Sequence, residues 1–123
     1  MIVIKSPREI ELMARAGRIT AGAHQVVKES IAPGISTREL DRLVEEFFQK
    51  QGAIPAFKGY GGFPASICTS LNNQVVHGIP SEKVILQQGD ILSVDIGAIV
   101  DGYVGDAAAT YPVGEISPES AKL

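Results

Sequence analysis

Apolar side chains in the first half of the chain recur at three- and four-residue intervals, the period of a helix with one buried face. Ile10, Met13, Ala14, Ile19, Ala23, Val26 and Val27 follow Ser6-Pro7-Arg8-Glu9. In that start Ser6 suits the cap, Pro7 the first helical position and Glu9 the returning half of a capping box. Pro33-Gly34 closes this predicted helix. A second box, Ser36-Thr37-Arg38-Glu39, opens another, in which Leu40, Leu43, Val44, Phe47 and Phe48 form an amphipathic stripe and Gly52 supplies a C-terminal stop.

Beyond Gly52 the period is lost. Residues 53–64 contain Pro55, Gly59, Gly61, Gly62 and Pro64 with Phe57, Tyr60 and Phe63 between them, and predict a loop lined with aromatic rings. Residues 65–70 and 74–77 read as short strands around an Asn72-Asn73 turn, and Gln88-Gly89-Asp90 as a further turn. Residues 91–100 and 103–113 are apolar runs separated by Asp101-Gly102, a strong hairpin signal. The pattern predicts an α+β fold: a helix pair followed by an antiparallel β-sheet.

Composition narrows the class without naming a chemistry. The 123 residues are 45% hydrophobic and 20% charged, with a net charge of −3, as in a globular domain. No like-charge block points to nucleic acid or an anionic membrane. No run approaches a membrane span, and the N-terminus meets charge too soon for a signal peptide. Cys68 is the single cysteine, so no intramolecular disulfide forms and a reducing, cytoplasmic setting is expected.

The hairpin carries the candidate chemistry. With Asp101-Gly102 as a two-residue loop, Val100 opposes Tyr103, Gly97 opposes Asp106 and Asp95 opposes Ala108. Asp95 and Asp106 then share one face as diagonal neighbours, their backbones roughly 7–8 Å apart. Gly97 between them is expected to leave that face open. Either aspartate alone is better read as a turn or backbone acceptor. Both on one face of a largely apolar hairpin favour a divalent cation, because a buried carboxylate otherwise raises its pKa or destabilises the fold. A one-residue bulge would separate them.

Two histidines remain. His24, inside the first predicted helix, reads as a helix-surface or boundary residue. His77 ends an apolar strand just before Gly78 and Pro80, where one titratable group meets a turn. Position alone leaves a site role and a structural role equally open for it.

Lys58-Gly59-Tyr60-Gly61-Gly62-Phe63-Pro64, Ser70 through Pro80, Gly89 through Asp95 and Asp101 through Asp106, in this order and spacing, resemble the bacterial type I methionine aminopeptidases. The resemblance implies half of a pita-bread fold. It implies two divalent metal ions (cobalt, manganese, iron or zinc), with Asp95 and Asp106 as ligands and Asp106 bridging. It implies a catalytic, substrate-contacting role for His77, and a methionine pocket lined by Phe57, Tyr60, Phe63 and Cys68. The substrates it implies are the N-termini of nascent polypeptides, from which the initiator methionine is removed. Proline-specific aminopeptidases and prolidases share the fold and form the alternative, as does a binding module without catalysis.

Gly61 and Val104 depart from relatives that carry histidine there, without removing a ligand. The family's other ligands, a histidine and two glutamates, lie further along a longer chain. Residues 1–123 are therefore expected to be an N-terminal portion truncated before the C-terminal half, with weak metal affinity. The uncovered sheet is expected to drive self-association as a homodimer.

Overall fold

The computed structural model describes residues 6–59, 65–72 and 78–114. Helix α1 spans Pro7–Ser30 and begins with the expected capping box: Glu9 N–H donates to Ser6 Oγ, and Ser6 N–H donates to Glu9 Oε1, each at 3.2 Å. It ends at Ser30, ahead of Pro33, because Pro disfavours helical backbone in the residue before it. Helix α2 spans Thr37–Gln51 and stops at Gly52, whose φ of 69° is left-handed.

Two details of these helices differ from the expectation. In α2 Ser36 Oγ caps the Glu39 amide, but the Glu39 carboxylate is turned to Arg42, which donates to both its oxygens at 2.6 and 2.9 Å. In α1 the buried positions are Ala16, Ile19, Thr20, Ala23 and Val27, while Ile10 and Met13 are exposed and so is Ala14. Ile19, Ala23 and Val27 belong to the expected stripe; Ala16 and Thr20 do not, and these two small residues are the ones that meet Gly105 of the sheet.

The sheet is antiparallel, built on β3 (Ile91–Val100). One flank of β3 carries β4 (Tyr103–Pro112) along its whole length. The other flank carries β2 (Ile67–Leu71), and beyond it the short β1 (Ile54–Pro55), which lies in the stretch expected to be loop. Asp101 and Gly102 both have positive φ, 47° and 86°, as a two-residue hairpin turn of right-handed twist requires. The register is the expected one, with Val100 opposite Tyr103, Gly97 opposite Asp106, Asp95 opposite Ala108 and no bulge. β4 ends at Pro112, one residue early, and Val113 turns into the core.

Strand alternation divides β3 cleanly. Leu92, Val94, Ile96, Ala98 and Val100 are buried against α1 and α2, joined by Leu40, Val44 and Phe48 from α2 and Ile67 from β2. The odd-numbered residues of β3, with Cys68 and Ser70 of β2 and the even-numbered residues of β4, form the face away from the helices. Among the described residues no helix is long and apolar enough to cross a membrane.

Candidate metal centre

Backbone hydrogen bonds show which cross-strand pairs are narrow. Ala56 N–H donates to Gly97 O, and Asn72 N–H to Ile91 O, so the odd residues of β3 turn their peptide groups toward β1 and β2. On the β4 side, Gly97–Asp106 and Asp95–Ala108 are therefore the non-hydrogen-bonded pairs, with Cα atoms about 4.5 Å apart and side chains close. Asp95 and Asp106 project from adjacent narrow pairs onto the same face. Asp95 is half-buried and Asp106 exposed.

Gly97 does not leave an empty space there, contrary to expectation. A Cβ at this residue would stand 2.9 Å from the Ala56 Cβ and 3.7 Å from Phe57 Cζ. The missing side chain lets the segment after β1 fold over β3, and this sets Phe57 at the edge of the aspartate pair.

Cys68 lies directly opposite Asp95 on the other flank. A shallow cavity of about 110 Å³ is lined here by Cys68, Ser70, Ser93, Val94, Asp95 and Ala108. Burial pushes the Cys68 thiol above its ordinary pKa, and the Asp95 and Asp106 carboxylates push it further the same way. All three side chains thus share one electrostatic environment, in which the sulfur stays protonated at neutral pH. A protonated thiol is a poor nucleophile.

The donor set fits a hard divalent ion in part. Two carboxylates on one face are oxygen donors, which suit a hard divalent ion more than a soft one. Among the described residues no group of three or more His, Cys, Asp and Glu is placed to hold a metal. Tyr60, Phe63 and His77 lie outside the described residues.

His24 is a tie between helix and sheet. Its ring stands 2.6 Å from Tyr111 Oη through Nδ1 and 2.7 Å from Ala107 O through Nε2. A carbonyl only accepts, so Nε2 carries a proton. One buried group escaped the sequence reading altogether: Asp41, 3% exposed, whose Oδ1 accepts from Ser66 N–H at 2.7 Å and Ile67 N–H at 3.1 Å. Its only sequence signal is an acid directly beside Leu40 on the apolar edge of α2.

The profile of metallopeptidase family M24 matches residues 11–123. The chain is 58% identical over 123 residues to methionine aminopeptidase 1 of Bacillus subtilis, covering 100% of this chain and 49% of that protein. Its structure resembles that of methionine aminopeptidase from Thermotoga maritima, with a TM-score of 0.90, 46% identity and coverage of 100% and 49%. It is also similar, at a TM-score of 0.76 and 30% identity, to an Xaa-Pro dipeptidase of Bacillus anthracis, covering 97% of this chain and 32% of that one. The chain spans about half the length of the curated relatives it matches. Helix pair and antiparallel sheet are those of the pita-bread fold these proteins share. By sequence profile and by fold, the chain belongs to metallopeptidase family M24.

Proposed function

We propose that residues 1–123 form the N-terminal portion of a metalloaminopeptidase that removes the initiator methionine from nascent polypeptides in the cytoplasm. The observation that carries this reading is the placement of Asp95 and Asp106 on one face across Gly97, with Cys68 opposite Asp95 and Phe57 against Gly97. Asp95 and Asp106 would hold divalent ions through their carboxylate oxygens. When bound, such a pair of ions (cobalt, manganese, iron or zinc) lowers the pKa of water toward neutrality and polarises the scissile carbonyl.

The chain's own residues bind and orient the substrate. Phe57, Tyr60, Phe63 and Cys68 enclose the methionine side chain, whose thioether packs well on aromatic edges. His77 matches the family's substrate-contacting histidine and takes that role. Two carboxylates are a partial ligand set, so this chain by itself binds metal weakly and turns over little or no peptide. The open sheet face favours self-association as a homodimer, which a monodisperse monomer in sedimentation at high concentration would refute.

Greater likeness to the methionine aminopeptidase structure than to the dipeptidase, 46% against 30% identity, favours methionine over proline specificity. The test is manganese titration of the chain and of Asp106→Asn, beside methionine release from a Met-Ala-Ser peptide. Weak manganese binding that Asp106→Asn abolishes, with little release, is expected. Binding indifferent to the substitution overturns the role of Asp106.

A further inference from the structure

Strand β2 is satisfied on its outer edge by two unrelated devices. Thr69 N–H donates to Gly78 O and Gly78 N–H to Thr69 O, closing one bridge at 3.1 and 2.7 Å. Two residues earlier Ile67 has, among the described residues, no strand beside it on that edge, and its amide, with that of Ser66, is taken by the Asp41 carboxylate of α2. Ile67 and Thr69 therefore both turn outward. Alternation turns Cys68, between them, toward β3, where Cys68–Asp95 is the hydrogen-bonded pair of the ladder.

We propose that Asp41 is a positioning residue for the candidate metal centre: by holding the Ser66 and Ile67 amides it sets the register and depth at which Cys68 meets Asp95. Its relevance to catalysis rests on the proposed aminopeptidase reading, but the positioning itself does not.

The choice of an acid supports this role. Burial raises the Asp41 pKa, an effect opposed by its two amide hydrogen bonds, raised again by Glu45 and lowered by Arg38. A group that serves only to fill space is better apolar, whereas a carboxylate oxygen accepts two amides at once. One helical turn on, Glu45 pairs with Lys58, so α2 grips the chain on both sides of residues 60–64.

The chain has one cysteine, so alkylation by neutral iodoacetamide at fixed pH reads Cys68 alone. Asp41→Ala should speed alkylation about tenfold or more, the factor expected when buried amides lose their acceptor. It should also speed hydrogen exchange at Ser66 and Ile67 while α1 and β4 keep their protection. Asp41→Asn, which retains one acceptor oxygen, should restore most of both. Unchanged Cys68 alkylation and unchanged local exchange in a folded Asp41→Ala chain overturn the proposal. Should that variant not fold, the unaltered chain decides: Ser66 and Ile67 amides protected like those of β3 support the role, and exchange at free-peptide rates overturns it. None of these measurements uses metal or peptide, so they stand apart from the outcome for methionine release.

Discussion

Gly105 of β4 lies directly on the Ala16 peptide of α1. A Cβ at Gly105 would stand 2.6 Å from the Ala16 carbonyl carbon and 2.7 Å from its oxygen, backbone atoms that have no room to move. Thr20 seals the same contact, its Oγ1 2.9 Å from both Ala16 O and Gly105 O. This approach sets the height of β4 over the helix, one residue before Asp106.

Gly105→Ala is therefore expected to destabilise the chain by about 1–3 kcal/mol, the cost of forcing volume into a packed contact. Gly17→Ala, on the same helix, meets nothing within 4 Å and should stabilise by about 0.5–1 kcal/mol through helix propensity. Urea unfolding of both variants checks the pair. Equal effects at the two glycines would show that backbone entropy alone, and not the approach to Ala16, governs residue 105.

The Cys68 thiol offers a pH test. Its pKa is raised first by burial and then by Asp95 and Asp106, so its alkylation should rise with pH along a curve shifted above that of an ordinary thiol. A raised thiol pKa means that the folded state resists ionisation. The associated stability is full below the unfolded pKa and is lost as pH climbs through the folded one. Asp95→Asn and Asp106→Asn should each move the alkylation curve back toward the ordinary value. A curve at the ordinary position in the unaltered chain would show that the two carboxylates do not face the sulfur.

His24 and Tyr111 supply a test of the helix–sheet tie. Tyr111→Phe removes the hydroxyl 2.6 Å from His24 Nδ1, and the loss should cost about 1–2 kcal/mol. His24→Ala also leaves Ala107 O without its ring donor and should cost more. Thermal unfolding of the two single variants and the double variant measures the coupling. Strict additivity would mean that the two side chains do not act together.

Much of this architecture is legible in local sequence. Ser6 with Glu9 marks the start of α1, and Gly52 marks the end of α2, because capping is chemistry between near neighbours. Asp101-Gly102 imposes a two-residue turn, and from it the pairing of Asp95 with Ala108 and Gly97 with Asp106 follows by counting. The shared face of the two aspartates was readable for that reason: the strand period is two, and no bulge intervenes.

Other features depend on segments distant along the chain, and no local pattern reports them. Gly97 is filled by Ala56 and Phe57, Gly105 by Ala16, and the outer edge of β2 by Asp41. The short β1 forms because β3 offers it a partner beyond the end of β2, not because Ile54-Pro55 is a strong strand sequence. Glu39 was free to complete a second capping box, and Arg42 took it by a stronger charge-assisted pairing. The sequence by itself determined the elements, the hairpin register and the face that bears Asp95 and Asp106, since each follows from bonds between near neighbours. Only the tertiary structure decided which glycines are contacts and which acid is buried, because those depend on what the folded chain brings against them.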